Sequence, residues 1–138
     1  HNWRILMNLD KYKESGKPLI APLGSMQKEV RDKLDGVEVL DYGIKVQADT
    51  YNTGTTSCVV PEFLVAIYVL AVAVASGANR ILLAGFDGYP QSDPRQQRIA
   101  NAFERFSDMP NSIPLIAVTP TTYPIVQDSI FSPGLQEL

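Results

Sequence analysis

Apolar residues along the chain form short runs typical of buried strands, and longer stretches in which they recur every three or four positions, as in helices. The two patterns alternate, and glycine ends three of the helical stretches. The predicted strands are residues 3–7, 17–21, 37–42, 80–84 and 113–118. The predicted helices are residues 10–15, 25–36, 63–76 and 93–106.

This alternation predicts the fold class. A strand, a helix and a second parallel strand form a right-handed crossover, and repeated crossovers build a parallel sheet covered on both faces. We therefore expect an α/β protein with a Rossmann-like, three-layer αβα architecture and a mostly parallel sheet of about five strands. A length of 138 residues, 45% of them hydrophobic, suits one domain spanning residues 1–138.

Three stretches between or within these elements carry separate expectations. Residues 43–61 are rich in Thr, Asn and Gly and have no clear period, so we predict that they form the longest loop. Residues 63–76 are apolar on every face, which predicts a helix covered on more than one side and ended by Gly77. The segment after Pro124, with Pro133 and Gly134, is predicted to be irregular.

The start of the fourth helix has a strong local signature. Asp93 is a capping carboxylate, Pro94 suits the first helical position, and Gln96 has a side chain able to reach back. Arg95 and Arg98 lie on the first turns of this helix. Both arginines would be able to reach a bound phosphate. Both are equally explained as surface residues exposed to solvent.

Charge and composition exclude several classes of function. The net charge of -3, with no Lys/Arg cluster, disfavours nucleic acid as a partner. The single Cys58 fits a reducing, cytoplasmic compartment. Residues 63–75 form an apolar run too short to span a bilayer, and no signal peptide is visible, so no membrane association is expected. His1, the one histidine, is interpreted as the end of a purification tag.

Ligands of open α/β sheets bind at the carboxyl ends of the strands, near the point where the strand order reverses. Helix starts at this edge direct backbone N–H groups towards a ligand, which suits a phosphate or carboxylate. The residues expected there carry hydroxyl, amide or carboxylate groups, or leave the backbone accessible. The candidate ligand-binding residues are Asn8, Gly24, Ser25, Thr56, Ser57, Asp87, Gly88, Tyr89 and Thr121.

Each candidate also has a plain structural explanation. The polar residues 52–57 suit an anion cradle or a solvated loop. Asp87 follows a buried strand and lies between glycines, where it would hold a ribose hydroxyl, a sugar or a metal, or else brace its own turn. Tyr89 would stack on a base or pack over the next helix. Cys58 has no histidine to activate it, so a buried thiol is expected, and no His or Cys pair has metal-ligand spacing.

The run Gly77-Ala78-Asn79-Arg80-Ile81-Leu82-Leu83-Ala84-Gly85-Phe86-Asp87-Gly88-Tyr89, continuing to Asp93-Pro94-Arg95-Gln96, resembles a C-terminal domain of bacterial aldolases of the 4-hydroxy-2-oxovalerate and hydroxymethylglutaryl-CoA lyase type. The stretch 115–123, with Thr119-Pro120-Thr121-Thr122-Tyr123, looks like the same domain. Those fused proteins occur among surface-carbohydrate pathways. The resemblance implies that this chain is a C-terminal fragment of a longer protein with an N-terminal aldolase domain.

More distantly, the unit that ends at Asn8 and the Gly-x-Asp-x-Tyr unit are similar to Campylobacter-type sialyltransferases and to motility-accessory and pterin-pyrophosphokinase-like domains. By that similarity, Asn8 would meet a nucleotide, Thr56 and Ser57 would approach a phosphate or sugar, and Tyr89 would lie near the phosphate. The transferase's catalytic histidine has no counterpart in this chain. The transferase's glycine-rich opening unit would lie before residue 1.

The resemblance therefore implies an accessory domain of an aldolase-type protein in bacterial carbohydrate metabolism. The domain would bind a nucleotide or nucleotide sugar without being catalytic by itself, and no cofactor is expected. One alternative is a glycosyl- or phospho-transferase domain that uses Asp87, or a carboxylate from outside the chain, as base. Another is a structural domain through which the parent protein forms a homo-oligomer.

Overall fold

The computed structural model describes residues 2–129 and 131, which form a mixed α/β structure. The helices are α1 (Asn2–Met7), α2 (Leu9–Ser15), α3 (Lys28–Lys33), α4 (Val65–Ala75) and α5 (Pro94–Ser107). The strands are β1 (Leu19–Ala21), β2 (Val39–Asp41), β3 (Gly43–Val46), β4 (Asn52–Thr53), β5 (Ser57–Val60), β6 (Ile81–Leu83), β7 (Leu115–Ala117) and β8 (Val126–Gln127). A 3₁₀ turn, Leu23–Ser25, follows β1.

The strands form small sheets in which parallel pairing dominates. Strand β1 pairs with β2 in parallel, and β6, β7 and β8 form a second parallel sheet in that order. The third sheet has the order β3-β5-β4, with β3 parallel and β4 antiparallel to β5. The α/β character with parallel strands is therefore confirmed, whereas one continuous sheet of about five strands stays a prediction.

Several elements lie where the sequence predicted them. Strands β1, β2, β6 and β7 fall inside the predicted ranges 17–21, 37–42, 80–84 and 113–118. Helix α4 ends just before Gly77, which has a φ of 81°. Left-handed backbone of this kind is accessible to glycine without strain, so the chain turns there into β6.

The prediction of a strand at residues 3–7 is wrong, because these residues form α1. A short apolar run does not distinguish a buried strand from one face of a helix. In the structure, Ile5 and Leu6 pack against the buried side chains of Met26 and Val30. Tertiary packing against this cluster favours the helix, which continues almost directly into α2.

The prediction of a long loop at residues 43–61 is also wrong, because this stretch contains β3, β4 and β5. The pairing joins residues that are distant in sequence, such as Gly43 with Ser57 and Val46 with Val60. Cys58 and Val60 are buried while Ser57 is exposed, which is the alternation of a half-buried strand. Strand β5 has only four residues and β4 has two, both polar, so neither strand shows a clear period in the sequence.

The end of the chain holds one further strand. Residues after Pro124 were predicted to be irregular, yet β8 adds to the edge of β7. Pro133 and Gly134 lie outside the described residues.

Helix α4 is only partly covered. Ile67, Leu70 and Ala71 are buried, whereas Val65 is 70% exposed and Val69 is 53% exposed. The expectation that this helix is covered on more than one side therefore fails for the stripe that carries Val65 and Val69.

Candidate functional site

The carboxyl ends of β6 and β7 carry two loops that are hydrogen-bonded to each other. The Gly85 N–H donates to Thr119 Oγ1 at 2.9 Å, and the Thr122 N–H donates to the Asp87 carbonyl at 3.0 Å. The Thr121 hydroxyl donates to the Phe86 carbonyl. Because parallel strands end at the same edge of a sheet, these two loops meet although about 35 residues separate them. We call this region the β6–β7 edge.

The backbone of the first loop is held in one geometry at Gly88. Its φ is 105°, and a Cβ at this position would lie 2.0 Å from Thr122 Oγ1. Only glycine fits both the backbone and the space. Steric constraints therefore determine the conformation of this turn.

A buried amide completes this arrangement. Gln96 is 5% exposed, accepts a hydrogen bond from the Tyr89 N–H at 2.8 Å and donates to Thr122 Oγ1 at 3.1 Å. The sequence predicted that Gln96 reaches back to the helix start. Its side chain instead passes the capping residue and connects α5 to both loops, so it positions the β6–β7 edge.

The N-terminus of α5 is capped as predicted. Asp93 accepts from the Arg95 N–H at 2.9 Å and pairs with the Arg95 guanidinium at 2.5 Å. The hydrogen bond from the Arg95 side chain, followed by that from its backbone, lowers the pKa of Asp93 to about 2. The guanidinium also lies 4.1 Å from the Tyr89 ring centre, in cation–π geometry. Arg95 is thus already engaged by a carboxylate and a ring.

Asp87 differs from its neighbours because its carboxylate is exposed and has no hydrogen-bond partner within the part of the chain that the structure describes. Its backbone carbonyl, and not its carboxylate, braces the turn by accepting from Thr122 Oγ1 at 3.1 Å. The suggestion that the side chain of Asp87 only stabilises its own turn is therefore wrong. The carboxylate projects from a rigid loop and is accessible to a ligand.

The structure brings four candidates together at the β6–β7 edge, namely Asp87, Gly88, Tyr89 and Thr121. Gly24 and Ser25 lie in the 3₁₀ turn after β1, at the carboxyl end of a different strand. The helix predicted to start at Ser25 begins instead at Lys28, with Gln27 in the N-cap position of α3. The Ser25 hydroxyl approaches the Ile44 carbonyl at 3.5 Å.

The remaining candidates lie elsewhere. Asn8 joins α1 to α2 and donates to the Arg4 carbonyl at 2.9 Å, so it does not follow a strand as predicted. Thr56 and Ser57 lie at the start of β5, where the Thr56 carbonyl accepts from the Gly43 N–H at 2.9 Å. Within residues 2–129 and 131, no hydrogen bond joins Asn8 or Ser57 to the loops of the β6–β7 edge.

Two cavities lie between β1 and α4, and no pattern in the sequence indicated either of them. The larger, of about 350 Å³, is lined mainly by apolar side chains, among them Ile20, Phe63 and Val65. A second, of about 200 Å³, is bounded by Ile20 and Leu40 on one side and by Val72 on the other. A volume above 300 Å³ is in the range of small-molecule pockets. Both cavities exist because the side chains of β1 and α4 do not fill the space between these two elements.

The buried thiol and phenols form a structural cluster beside these cavities. Cys58 is 2% exposed, and burial raises its pKa to about 11. Burial likewise raises the pKa of Tyr42 to about 12. The Tyr42 hydroxyl donates to the Gly54 carbonyl at 3.0 Å, and the Tyr68 hydroxyl donates to the Tyr42 carbonyl at 2.6 Å. The prediction of a buried, unactivated thiol is confirmed.

The described residues contain neither a metal-binding cluster nor a membrane-spanning helix. Among residues 2–129 and 131, no group of three or more His, Cys, Asp or Glu side chains is placed to hold a metal ion. No helix in the same residues combines the length and apolar character needed to cross a membrane. No protein-family model matches the chain, and no curated protein or solved structure shows significant similarity to it. The resemblance to aldolase-associated domains therefore stays a prediction.

Proposed function

We propose that this chain is a binding module for a nucleotide or nucleotide sugar, and that the β6–β7 edge is its site. The observation that carries the proposal is the exposed Asp87 carboxylate on a loop that Gly88, Gln96 and Thr122 hold rigid. A carboxylate without an internal partner is suited to accept hydrogen bonds from the hydroxyls of a ribose or sugar.

Preorganisation supports the proposal. A ligand that meets an ordered loop does not bear the entropy cost of ordering it, and more of the contact energy appears as affinity. Tyr89 beside Asp87 adds an aromatic surface, with Arg95 on its ring. In open α/β sheets, the carboxyl edge of the strands is where ligands bind.

The proposal includes no catalytic role for the chain by itself. Asp87 has no second titratable group hydrogen-bonded to it among the described residues. A glycosyltransferase-like reaction would use Asp87, or a carboxylate from outside the chain, as base.

We propose that the parallel strands belong to a three-layer, Rossmann-like domain and that residues 1–138 form the C-terminal part of a longer, aldolase-type protein of bacterial carbohydrate metabolism. The lone Cys58 supports a cytoplasmic location. A homo-oligomeric parent protein, assembled through this domain, is the alternative to the binding function.

Thermal shift with CMP, CDP, UDP, GDP and CMP-sialic acid tests the binding function. A ligand at about a hundred times its dissociation constant adds about 2.7 kcal/mol of stability, which raises the Tm measurably. We expect one nucleotide class to raise the Tm of the parent chain and of Asp35→Asn, but not of Asp87→Asn. Asp35 is an exposed carboxylate that follows α3, so it controls for the loss of one charge. An equal rise in Asp87→Asn, or no rise with any ligand, contradicts the proposal.

A further inference from the structure

The larger cavity, of about 350 Å³, lies where α1, α2, β1 and the start of α4 meet, and we call it the α1–α4 cavity. None of the described residues that line it belongs to the loops of the β6–β7 edge. The surrounding elements differ as well, because the β6–β7 edge is built on β6, β7 and α5. A ligand of this cavity would therefore be distinct from the ligand proposed at Asp87.

The walls of the α1–α4 cavity are mostly apolar, with a buried base and an open side. Ala21, Met26 and Tyr68 line the cavity and are buried, so the surrounding core holds them in place. Phe63 and Val65 also line it but are exposed, which leaves the cavity open to solvent on their side. A preformed apolar base with access from solvent is typical of small-molecule sites.

The polar side chains at this cavity can all donate hydrogen bonds, and none of those described is acidic. Arg4 is the one charged side chain among the described residues that line it. Ser25 and Tyr12 add hydroxyl groups, and the Tyr12 hydroxyl has no hydrogen-bond partner among the described residues. The whole chain has more acidic than basic residues, 15 against 12, so composition does not explain this local charge. The cavity therefore favours an anion over a cation.

Different elements contribute the charged and the apolar parts of the wall. Arg4 and Tyr12 belong to α1 and α2, whereas residues 63–65 at the start of α4 are all apolar. The Tyr68 hydroxyl donates to the Tyr42 carbonyl at 2.6 Å, so Tyr68 offers the cavity mainly the surface of its ring. This division matches a ligand whose charged end faces α1 and α2 and whose apolar body lies against β1 and α4.

The volume of the cavity limits the size of this ligand. An apolar cavity of about 150 Å³ is enough to hold one molecule of benzene. On the same scale, the 350 Å³ of the α1–α4 cavity would hold on the order of twelve non-hydrogen atoms. Decanoate has about this size, whereas the acyl chain of a long membrane lipid would extend well beyond the cavity.

We propose that the α1–α4 cavity binds a medium-chain monocarboxylate, with its acyl chain against the apolar walls and its carboxylate at Arg4. Removal of the acyl chain from water supplies most of the affinity, because apolar burial is favourable in proportion to area. The guanidinium supplies the preference for an anion, since its hydrogen bonds to a carboxylate are charge-assisted. The inference goes beyond the proposed function, because it concerns a second site and a ligand without a base or sugar.

The test titrates the whole chain with decanoate, decanol and decyltrimethylammonium, which share one chain length, below the concentrations at which they form micelles. Isothermal titration calorimetry should show that decanoate binds about tenfold more tightly than either of the others. In NMR spectra, decanoate should shift the methyl signal of Met26, which lines the cavity, and not that of Met109, which is buried in the larger core. Equal affinity for all the probes, or an unchanged Met26 signal, would overturn the proposal.

One pair of variants tests the position of the ligand. Val65→Trp places a large ring at the open side of the cavity and should weaken decanoate binding at least tenfold. Val69→Trp should leave binding unchanged, because Val69 is an exposed valine of the same helix outside the described lining. Equal effects of the two variants would overturn the proposal. So would a dimer in sedimentation velocity that Val65→Trp abolishes, because a second copy would then fill the cavity.

A second pair of variants tests the charge. Arg4→Gln should abolish the preference for decanoate over decanol while decanol itself still binds. Lys11→Gln also removes one positive charge, from an exposed position of α2 outside the described lining, and should leave the preference unchanged. A preference that survives Arg4→Gln would overturn the assignment of the carboxylate to Arg4.

These experiments are independent of the nucleotide screen. Asp87→Asn is expected to bind decanoate like the parent chain, since Asp87 does not line the cavity. Arg4→Gln is likewise expected to respond to nucleotides like the parent chain. If decanoate binds and no nucleotide does, the proposed function fails and the inference about the cavity stands. If a nucleotide binds and decanoate does not, the reverse holds.

Discussion

Residues 2–41 and residues 42–129 are built from the same kinds of helix and parallel strand, but they bury them to very different extents. The first region has a cluster of four buried side chains, Ala21, Met26, Val30 and Leu34. The second has a cluster of fifteen among the described residues, centred on fully buried side chains such as Phe103, Phe106, Ile67 and Val60. Because the stabilisation from burial scales with apolar area, the second region is expected to be much the more stable.

Few hydrogen bonds connect residues 2–41 to residues 42–129. Backbone and side-chain hydrogen bonds join Ala21 to Tyr42 at 3.3 Å and Ser25 to Ile44 at 3.5 Å. The space between β1 and α4 is left as cavities. Regions with few buried contacts open at low free energy, so residues 2–41 should exchange their amides well before the rest. The larger core is therefore incompletely packed on the side of α4 that faces β1.

The largest expected effect is that of Phe103→Ala, in the larger core. Phe103 is fully buried and its ring packs edge-on against Tyr123, with centroids 5.1 Å apart. Loss of a buried phenylalanine costs about 3–5 kcal/mol through lost transfer energy and the remaining cavity. Urea unfolding should show this loss, whereas Phe131→Ala, at an 88% exposed position, should lie within about 0.5 kcal/mol of the parent. A small effect of Phe103→Ala on the free energy of unfolding would contradict the expectation that residues 42–129 are the more stable region.

Leu34→Ala tests the smaller core. Leu34 is 5% exposed, and its truncation should cost about 2–3 kcal/mol at this site. Because residues 2–41 open separately, we expect faster amide exchange in that region alone. Leu40→Ala, at a 47% exposed position, is the control and should change exchange little. Equal loss of protection in residues 42–129 would mean that the two regions unfold as one.

Gly88→Ala tests the rigidity of the β6–β7 edge within the larger region. The positive φ and the 2.0 Å approach of a Cβ to Thr122 Oγ1 should together cost about 1–3 kcal/mol. Chemical denaturation of Gly88→Ala, Thr122→Ala and the double variant separates the two causes, since removing the hydroxyl relieves only the clash. Gly24→Ala has open space around its Cβ and no positive φ, so it should be nearly neutral. Additive effects of Gly88→Ala and Thr122→Ala would contradict the predicted clash.

The smallest effect concerns the cap of α5 and appears as a dependence on pH. The pKa of Asp93 falls from 3.8 to about 2 in the folded chain, chiefly through hydrogen bonds from Arg95. A lowered pKa stabilises the fold above the unfolded value, so this contribution is present above pH 4 and is lost as the pH falls towards 2. The difference in Tm between the parent chain and Asp93→Asn should therefore shrink over that window. An unchanged difference at pH 2 would show that the ion pair with Arg95 does not stabilise α5.

Local signals in the sequence were sufficient for some elements and misleading for others. The Asp93 and Pro94 pair located the start of α5, because capping and a fixed φ act within one turn. The apolar run at residues 3–7 was misassigned, since its helix is stabilised by packing on Met26 and Val30. Residues 43–61 were assigned as a loop because parallel pairing of β3 with β5 spans a separation that no local period reveals.

Only part of the candidate site was predictable from the sequence. The convergence of Asp87 and Thr121 followed from the rule that parallel strands end at one edge. The position of Gln96 did not, because an amide at a helix start looks like a capping side chain until the opposing loop is known. Asn8 was chosen as a candidate on the assumption that a strand precedes it, and that assumption fails because residues 3–7 are helical. Thr56 was chosen as part of a polar loop, whereas in the structure it directly precedes β5.

The amino-acid sequence by itself determined the α/β class, most strands of the parallel pairs, the cap of α5 and the loops at the β6–β7 edge. These features depend on side-chain period, caps and turns, which act over a few residues. Only the tertiary structure decided that α1 is a helix, that β3 to β5 form a sheet, and that Val65 and Val69 of α4 are exposed. Which strand edges meet, and which remain open, depends on contacts between residues far apart in the chain.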